Sequence, residues 1–111
     1  MNQGDIATIP IITSSGVPKN RPVLLLKQMP PFGDWLVCGI SGQLHQEVKG
    51  FDVVVLDNDP DFAATGLRNS TVIRLGYLAV VPKKDIPGII DAIDSGTLKL
   101  LLQRLVDHLS K

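Results

Sequence analysis

Turn-forming residues interrupt the first three-quarters of the sequence at short intervals, and this spacing restricts the fold more than any other feature. The clusters of glycine, proline, asparagine and serine that mark turns lie at 16–18, 30–33, 57–60 and 66–70. The segments between them are rich in residues that favour strands, and the strands predicted are Asp5–Ile12, Arg21–Met29, Asp34–Ser41, Phe51–Asp57 and Thr71–Val81. Short strands separated by regular turns indicate a small barrel or sandwich and argue against a βαβ fold.

Two of these strands differ in how their apolar residues are arranged. The segment Val23–Leu26 is apolar without alternation, so we predict that it is buried on both faces. In the last strand Ile73, Leu75 and Tyr77 share the face that we expect to meet the core, and Arg74 points away from it. The aromatic residues expected in the core are Trp35, Phe51 and Tyr77.

The hydrophobic period changes near the C-terminus. Leucines there follow the i, i+3, i+4, i+7, i+11 spacing of one face of an amphipathic helix, and they are Leu98, Leu101, Leu102, Leu105 and Leu109. Asp94 or Ser95 can cap the start of this helix, because a short polar side chain there accepts a hydrogen bond from a free backbone N–H. The expected architecture is mainly β, a small barrel closed by one C-terminal helix.

Length and charge limit the functions that need consideration. With 111 residues, 44% of them hydrophobic and 20% charged, we expect one folded domain over residues 1–111 and exclude a disordered chain. The 11 basic and 11 acidic residues cancel, so the chain lacks the global positive field of non-specific nucleic-acid binders. Residues 66–84 nevertheless contain four basic residues and no acidic one. A polyanion can therefore be held only by a local patch.

The sequence also indicates a compartment. A single cysteine, Cys38, cannot form an internal disulfide, which suits a reducing environment. We find no basic segment followed by an apolar stretch at the N-terminus and no apolar run long enough to span a membrane. We expect a soluble, cytoplasmic protein that has no membrane partner.

Metal and cofactor chemistry have little support in the sequence. Two histidines and one cysteine provide no zinc-binding spacing. The acidic segment 57–61 resembles the start of a calcium loop, but Phe62 and Arg68 stand where that loop needs glycine and glutamate. There is no P-loop and no dinucleotide-binding glycine motif. We expect neither a metal site nor a cofactor.

Two arginines and a serine hydroxyl lie on predicted strands. One arginine and the hydroxyl are at strand ends. Arg21 begins one strand, Ser41 ends the next, and Arg74 lies in the last strand. Arginine presents a planar fork of donors that matches phosphate oxygens, and it stays charged at every relevant pH. Together these groups can hold a phosphodiester and stabilise the charge that develops when an oxygen attacks phosphorus. Taken singly, each is more simply explained as a solvated strand end or a turn.

The order of several short motifs resembles the PemK/MazF family of toxin endoribonucleases. The motifs are Gly4-Asp5-Ile6, Asn20-Arg21-Pro22-Val23, Ile40-Ser41-Gly42-Gln43, Gly66-Leu67 followed by Thr71-Val72-Ile73-Arg74, and the C-terminal helix with its leucine stripe. The resemblance covers almost the whole chain. It implies an SH3-like barrel of the CcdB type, a homodimer and a cognate antitoxin as partner. It also implies metal-independent cleavage of single-stranded mRNA by attack of a ribose 2′-oxygen on the adjacent phosphate.

The resemblance assigns site residues by their positions. Arg21 matches the family's arginine at the end of the first loop, Ser41 matches its threonine or serine, and Arg74 matches an arginine of a later strand. The residues expected to bind RNA are the polar Lys19, Asn20 and Gln43, with the exposed ring of Phe32 stacking on a base.

One position departs from the family pattern. Members that use the later arginine commonly carry aspartate two residues on, whereas this chain has Gly76. A candidate general base is therefore missing. His45 lies close after Ser41, and histidine as a residue type titrates near neutral pH, so it is a candidate for that role. A lone histidine in a loop is, however, more often simply exposed.

Three functions remain open at this stage. The leading one is a type II toxin that cleaves RNA as a homodimer, which Arg21 and Ser41 favour. The second is a non-catalytic barrel that binds an antitoxin, a protein target or, with its antitoxin, operator DNA, which Gly76 favours. The third is a generic SH3-like interaction module, which explains the strands but not the arginines and the hydroxyl. A fold alone does not decide among them.

Overall fold

Strands dominate the computed structural model, which describes residues 1–12, 14–56 and 69–111. The strands are β1 (Asp5–Ile12), β2 (Pro18–Met29), β3 (Asp34–Ser41), β4 (Val53–Val55), β5 (Thr71–Val81) and β6 (Gly88–Ala92), and the α-helix is α1 (Ser95–Leu109). Short 3-10 turns cover Leu44–Gln46 and Lys83–Asp85. The predicted bounds of β1, β3 and β5 are confirmed, and β2 begins earlier than predicted. Within the described residues β4 is shorter than the predicted Phe51–Asp57, and β6 was not predicted. The acidic segment 57–61, Phe62 and the Gly66-Leu67 motif lie outside the described residues.

All six strands form one antiparallel sheet with the order β4-β5-β3-β2-β1-β6. The mainly β class and the C-terminal helix are therefore confirmed. Within the described residues the two outer strands, β4 and β6, are not hydrogen-bonded to each other, so the sheet is open where a closed barrel was expected.

The core is organised around β2, which is covered on both faces. All four side chains of Val23–Leu26 are 0% exposed, as the unbroken apolar run predicted. Leu24 and Leu26 pack on the face that α1 covers, whereas Val23 and Leu25 pack on the opposite face with a cluster that includes Trp35. Full burial of one such side chain contributes about 1.5–3 kcal/mol, so this segment is a large part of the stability of the fold.

The helix α1 packs one leucine face on the sheet. Leu101 and Leu105 are buried, as the stripe predicted, but Leu109 is 70% exposed because it lies in the last turn of the helix. Asp94 caps the start: its carboxylate accepts hydrogen bonds from the Thr97 backbone N–H at 2.9 Å and from the Thr97 hydroxyl at 2.6 Å. None of the helices in the described part of the chain has the length and apolar character needed to cross a bilayer.

Gly4 joins β1, β2 and the segment that leads into α1. Its N–H donates to the Leu25 carbonyl, and its own carbonyl accepts from the Ile93 N–H. Its φ of +88° lies in the region that favours glycine, and a Cβ there would come within 3.2 Å of the Leu98 side chain. The first motif of the family resemblance therefore has a structural reason in this chain.

The pairing between β3 and β5 is interrupted, and the interruption corrects the predicted burial of Tyr77. Gly39 of β3 pairs with Arg74, but the preceding residue Cys38 pairs with Leu78, so residues 75–77 are inserted opposite a single step of β3. This bulge ends the regular alternation after Leu75. Tyr77 is 43% exposed, so the prediction that it belongs to the core was wrong, whereas Trp35 is buried as predicted. Phe51 is half-buried and packs at the edge of the core.

The cap of α1 predicts a pH-dependent contribution to stability. The hydrogen bonds from the Thr97 hydroxyl and then from its backbone N–H lower the pKa of the Asp94 carboxyl from its ordinary 3.8. Because the folded-state pKa is depressed, the stabilisation is present above that ordinary value and is lost as the pH falls through the folded pKa. We expect Asp94→Ala to lower the free energy of unfolding by about 1 kcal/mol at pH 7.

Urea unfolding of the parent and of Asp94→Ala, followed by circular dichroism between pH 7 and pH 2.5, measures this difference. The gap between the two proteins should narrow at the acid end of the range. A difference that stays constant over the whole range would show that the charge of Asp94 does not contribute.

Candidate active site

A cleft of about 470 Å³ opens where the start of β2, the end of β3 and the first half of β5 meet. The residues that line it are Arg21, Pro22, Val23, Gly39, Ile40, Ser41, Gly42, Gln43, Gln46, Thr71, Arg74 and Tyr77. Four of the predicted site residues are in this set: both arginines, Ser41 and Gln43.

Strand register explains why these residues meet. β2 and β3 are antiparallel with Val23 opposite Gly39, so the pairing direction brings Arg21 beside Ser41. β3 and β5 are also antiparallel, and Gly39 pairs with Arg74. Positions far apart in the sequence thus become neighbours at one end of three adjacent strands. The sequence prediction that groups Arg21, Ser41 and Arg74 agrees with their placement.

Both arginines bring positive charge to the wall of the cleft. Arg21 is exposed and Arg74 is half-buried. Within residues 1–12, 14–56 and 69–111 no carboxylate forms an ion pair with either guanidinium, and neither donates a hydrogen bond. Two guanidinium groups that lack an anionic partner favour a ligand with a negative charge, and their planar donor forks suit phosphate oxygens.

The hydroxyl of Ser41 organises the loop that follows β3. It accepts a hydrogen bond from the Gln43 backbone N–H at 3.1 Å and donates one to Gln46 Oε1 at 2.8 Å. Its proton is therefore engaged inside the protein. A phosphate oxygen that receives the Ser41 hydrogen bond must first replace the amide oxygen of Gln46.

Four of the predicted site residues lie outside the cleft. His45 is exposed on the 3-10 turn, and although its neighbour Gln46 lines the cleft, His45 does not. Lys19 and Asn20 are exposed at the start of β2, and neither lines the cleft. Phe32 is 85% exposed, as expected. However, it follows the far end of β2, about 25 Å from the position of Arg21 at about 3.3 Å per residue.

The cleft also contains residues that the sequence did not single out. Tyr77 reaches it because of the bulge in β5. Thr71 begins β5, and its buried hydroxyl has no hydrogen-bond partner in the described part of the chain. A buried hydroxyl without a partner is uncommon and costs free energy, so it marks a point where a ligand or a water can add a hydrogen bond.

The buried carboxylate of Asp52 holds the backbone of the bulge in β5. Asp52 is 4% exposed, and its two oxygens accept hydrogen bonds from the Leu75 N–H and the Val48 N–H, each at 3.0 Å. The Leu75 N–H lies in the bulge, where the ladder to β3 offers no acceptor. The guanidinium of Arg104 on α1 donates to the Asp52 main-chain carbonyl at 2.8 Å. Asp52 therefore fixes the segment of β5 that carries both Arg74 and Tyr77.

Cys38 lies beneath the same region and is fully buried. Burial, with a smaller effect of the Asp52 charge, raises the pKa of its thiol to about 12. At neutral pH the thiol stays protonated, and a protonated thiol is a poor nucleophile and metal ligand. In the described ranges no three His, Cys, Asp or Glu side chains are grouped in a way that could hold a metal ion.

Comparison with known proteins bears on the fold. No protein-family model matches the sequence, and no curated protein does. Among solved structures, the chain is similar to the Mycobacterium tuberculosis toxin MazF-mt6, with a TM-score of 0.67 and 20% sequence identity over 96% of each chain. At this level of identity the likeness shows the fold. The MazF-like fold that the sequence motifs implied is thus confirmed.

The role of Asp52 predicts a local and a global effect of Asp52→Asn. The amide nitrogen that replaces one carboxylate oxygen cannot accept a hydrogen bond, so one buried N–H loses its partner. We expect the free energy of unfolding to fall by about 1–3 kcal/mol. We also expect faster hydrogen exchange at whichever of the Leu75 and Val48 amides loses its acceptor, measured residue by residue by NMR.

The matched control is Asp85→Asn, which removes the same charge from an exposed position in a 3-10 turn. It should leave stability within about 0.5 kcal/mol of the parent and should leave exchange at Leu75 unchanged. Exchange rates that are unchanged at both Leu75 and Val48 in Asp52→Asn would contradict the support that we assign to Asp52.

Proposed function

We propose that this chain is the toxin of a type II toxin–antitoxin pair and that it cleaves single-stranded mRNA without a metal ion. The observation that carries the proposal is the convergence of Arg21, Ser41 and Arg74 on one cleft, in which neither arginine has an anionic partner among the described residues. The likeness of the fold to that of the toxin MazF-mt6 supports it. The proposed substrate is RNA because the chemistry needs a 2′-hydroxyl next to the phosphate.

The proposed reaction is an intramolecular transfer at phosphorus. The ribose 2′-oxygen attacks the adjacent phosphorus while the bond from phosphorus to the 5′-oxygen breaks. The products are a 2′,3′-cyclic phosphate and a 5′-hydroxyl that has taken up a proton. The attacked phosphate gains negative charge on its free oxygens in the transition state. Arg21 and Arg74 donate to those oxygens, and such donors stabilise the transition state more than the ground state.

The described lining of the cleft offers no side chain that could accept the proton of the 2′-hydroxyl. Among the described residues that line the cleft there is neither a carboxylate nor an imidazole. Gly76 occupies the position of the family's aspartate, and His45 does not line the cleft. We therefore propose that solvent accepts the proton and that the chain is a slow nuclease.

The proposed partners follow from the same assignment. A homodimer and a cognate antitoxin are proposed on the strength of the fold and of the apolar side chains that remain exposed on α1 and β6, among them Val106, Leu109 and Ile89. Such side chains favour contact with another protein surface.

The second candidate function is a barrel that does not cleave RNA but binds its antitoxin, a protein target or, together with the antitoxin, operator DNA. The described residues that line the cleft include neither a carboxylate nor an imidazole, and this favours the second candidate. A measured cleavage rate decides between the two.

The first test is the charge of Arg21. We expect Arg21→Ala to lower the rate of RNA cleavage by about 10²–10³-fold, the usual loss for one transition-state donor. Cleavage by the parent should persist in EDTA and should leave 2′,3′-cyclic phosphate ends on a long single-stranded RNA. The fold should survive, since substitution at an exposed position usually changes stability by less than about 0.5 kcal/mol.

Lys27→Ala is the matched control, because Lys27 is an exposed cation on the same strand and does not line the cleft. It should cut at the rate of the parent. If Arg21→Ala cuts as fast as Lys27→Ala, the cleft is not the active site.

The second test restores the missing base. A Cβ at Gly76 meets no atom of the described residues within 4 Å, so the first atom of a side chain has room there. A positioned general base contributes about 10²–10⁴-fold to a rate, so we expect Gly76→Asp to accelerate cleavage by at least about tenfold. Gly76→Asn has nearly the same shape and cannot accept the proton, and it should cut at the parental rate. Equal rates for the two variants would show that a base at this position is not what limits the reaction.

A further inference from the structure

We propose that the ring of Tyr77 is a platform on which one nucleobase of the bound RNA stacks, beside the phosphate held by Arg21 and Arg74. This inference rests on the proposed function and names the part of the substrate that the arginines leave unbound. It concerns a residue that the sequence pattern assigned to the core and that the bulge in β5 brings into the cleft instead.

Tyr77 is partly exposed at the wall of the cleft. Its side chain is 43% exposed within a concave, positively charged cleft. An aromatic ring that keeps so much of its surface in water at the wall of a binding site offers apolar area for a flat ligand to cover. Aromatic rings next to basic groups are the usual elements of single-strand binding, because the rings take the bases and the charges take the backbone.

The ring of Tyr77 lies against Gly39 of β3, which supports it. A Cβ on Gly39 would stand 3.0 Å from Tyr77 Cδ1 and 3.3 Å from its Cγ, tighter than most Cβ contacts in proteins, so the ring would have to shift by a few tenths of an ångström. The ring therefore rests against the backbone of β3 at the one position where no side chain intervenes. A ring supported in this way loses little conformational freedom when a base stacks on it, which favours binding.

The ring of Tyr77 lies near Arg74 in the same cleft. Gly39, under the ring, is the strand partner of Arg74, so the ring and this guanidinium are neighbours across the β3–β5 pair. A base on Tyr77 and its own phosphate on Arg74 match the connectivity of one nucleotide. Every base has a π face, so this platform adds affinity for a strand without selecting its sequence.

The chain offers a direct probe, because Tyr77 is its only tyrosine. Protein made with 3-fluorotyrosine therefore gives a single ¹⁹F signal from the proposed platform. The ligand is a short single-stranded RNA with 2′-O-methyl groups, which block the 2′-oxygen as a nucleophile and so prevent cleavage. The matched ligand is the same backbone with abasic positions. We expect the full RNA to shift the ¹⁹F signal and to bind about 5- to 150-fold more tightly than the abasic strand.

Variants separate stacking from a general loss of structure. Tyr77→Phe keeps the ring and should bind the full RNA as the parent does. Tyr77→Leu should lose the 5- to 150-fold advantage of the full RNA over the abasic strand. Gly39→Ala should displace the ring and weaken binding in the parent, and it should add no further loss when it is made together with Tyr77→Leu. Circular dichroism of each protein verifies the fold.

The outcomes distinguish this inference from the proposed function. If both strands bind equally and Arg21→Ala weakens both, the cleft binds the RNA backbone and the platform is overturned. If Tyr77→Leu keeps the preference for the full RNA, the base lies elsewhere and the platform is again overturned. If neither strand binds the parent, the proposed function fails and the platform fails with it.

Discussion

The burial of β2 on both faces is the constraint on which the rest of the structure depends. Four consecutive side chains, Val23–Leu26, are fully buried, and they alternate between the cluster under α1 and the cluster around Trp35. The apolar segment alone does not determine its register, because one face is as hydrophobic as the other. Polar residues at its two ends do, since Arg21 and Lys27 must both stay hydrated. The residue that we assign to phosphate binding is therefore placed by the same requirement that places the core.

A second constraint acts through Asp52, which connects three parts of the molecule. Its carboxylate accepts from the bulge of β5 and from the loop at Val48, and its main-chain carbonyl accepts from Arg104 on α1. Burying a carboxylate is costly, and the two charge-assisted hydrogen bonds offset that cost. An interrupted ladder normally leaves a strand segment poorly held. Here the Asp52 carboxylate accepts from the Leu75 N–H, so Arg74 and Tyr77 line the cleft from a supported backbone.

The sequence predicted what depends on nearby residues and missed what depends on pairing between distant ones. The turn clusters and the leucine spacing were sufficient for the strands and the helix, because both patterns extend over only a few residues. Arg21, Ser41 and Arg74 were grouped through a family resemblance, and strand register explains why they meet. The exposure of Tyr77 could not be predicted, because it follows from an insertion of three residues relative to β3. Asp52 was missed for the same reason, since its acceptor role involves an amide 23 residues away.

The burial of Cys38 has a practical consequence for studies of how the molecule opens. The thiolate is the form that attacks alkylating agents and oxidants, and the folded chain suppresses it by raising the pKa of this thiol to about 12. Cys38 belongs to the cluster beneath α1, so a reagent reaches it only when the helix and the sheet separate. Cys38 is the only cysteine of the chain, so thiol labelling reports on this one position. The rate at which the thiol is labelled therefore measures how often α1 separates from the sheet.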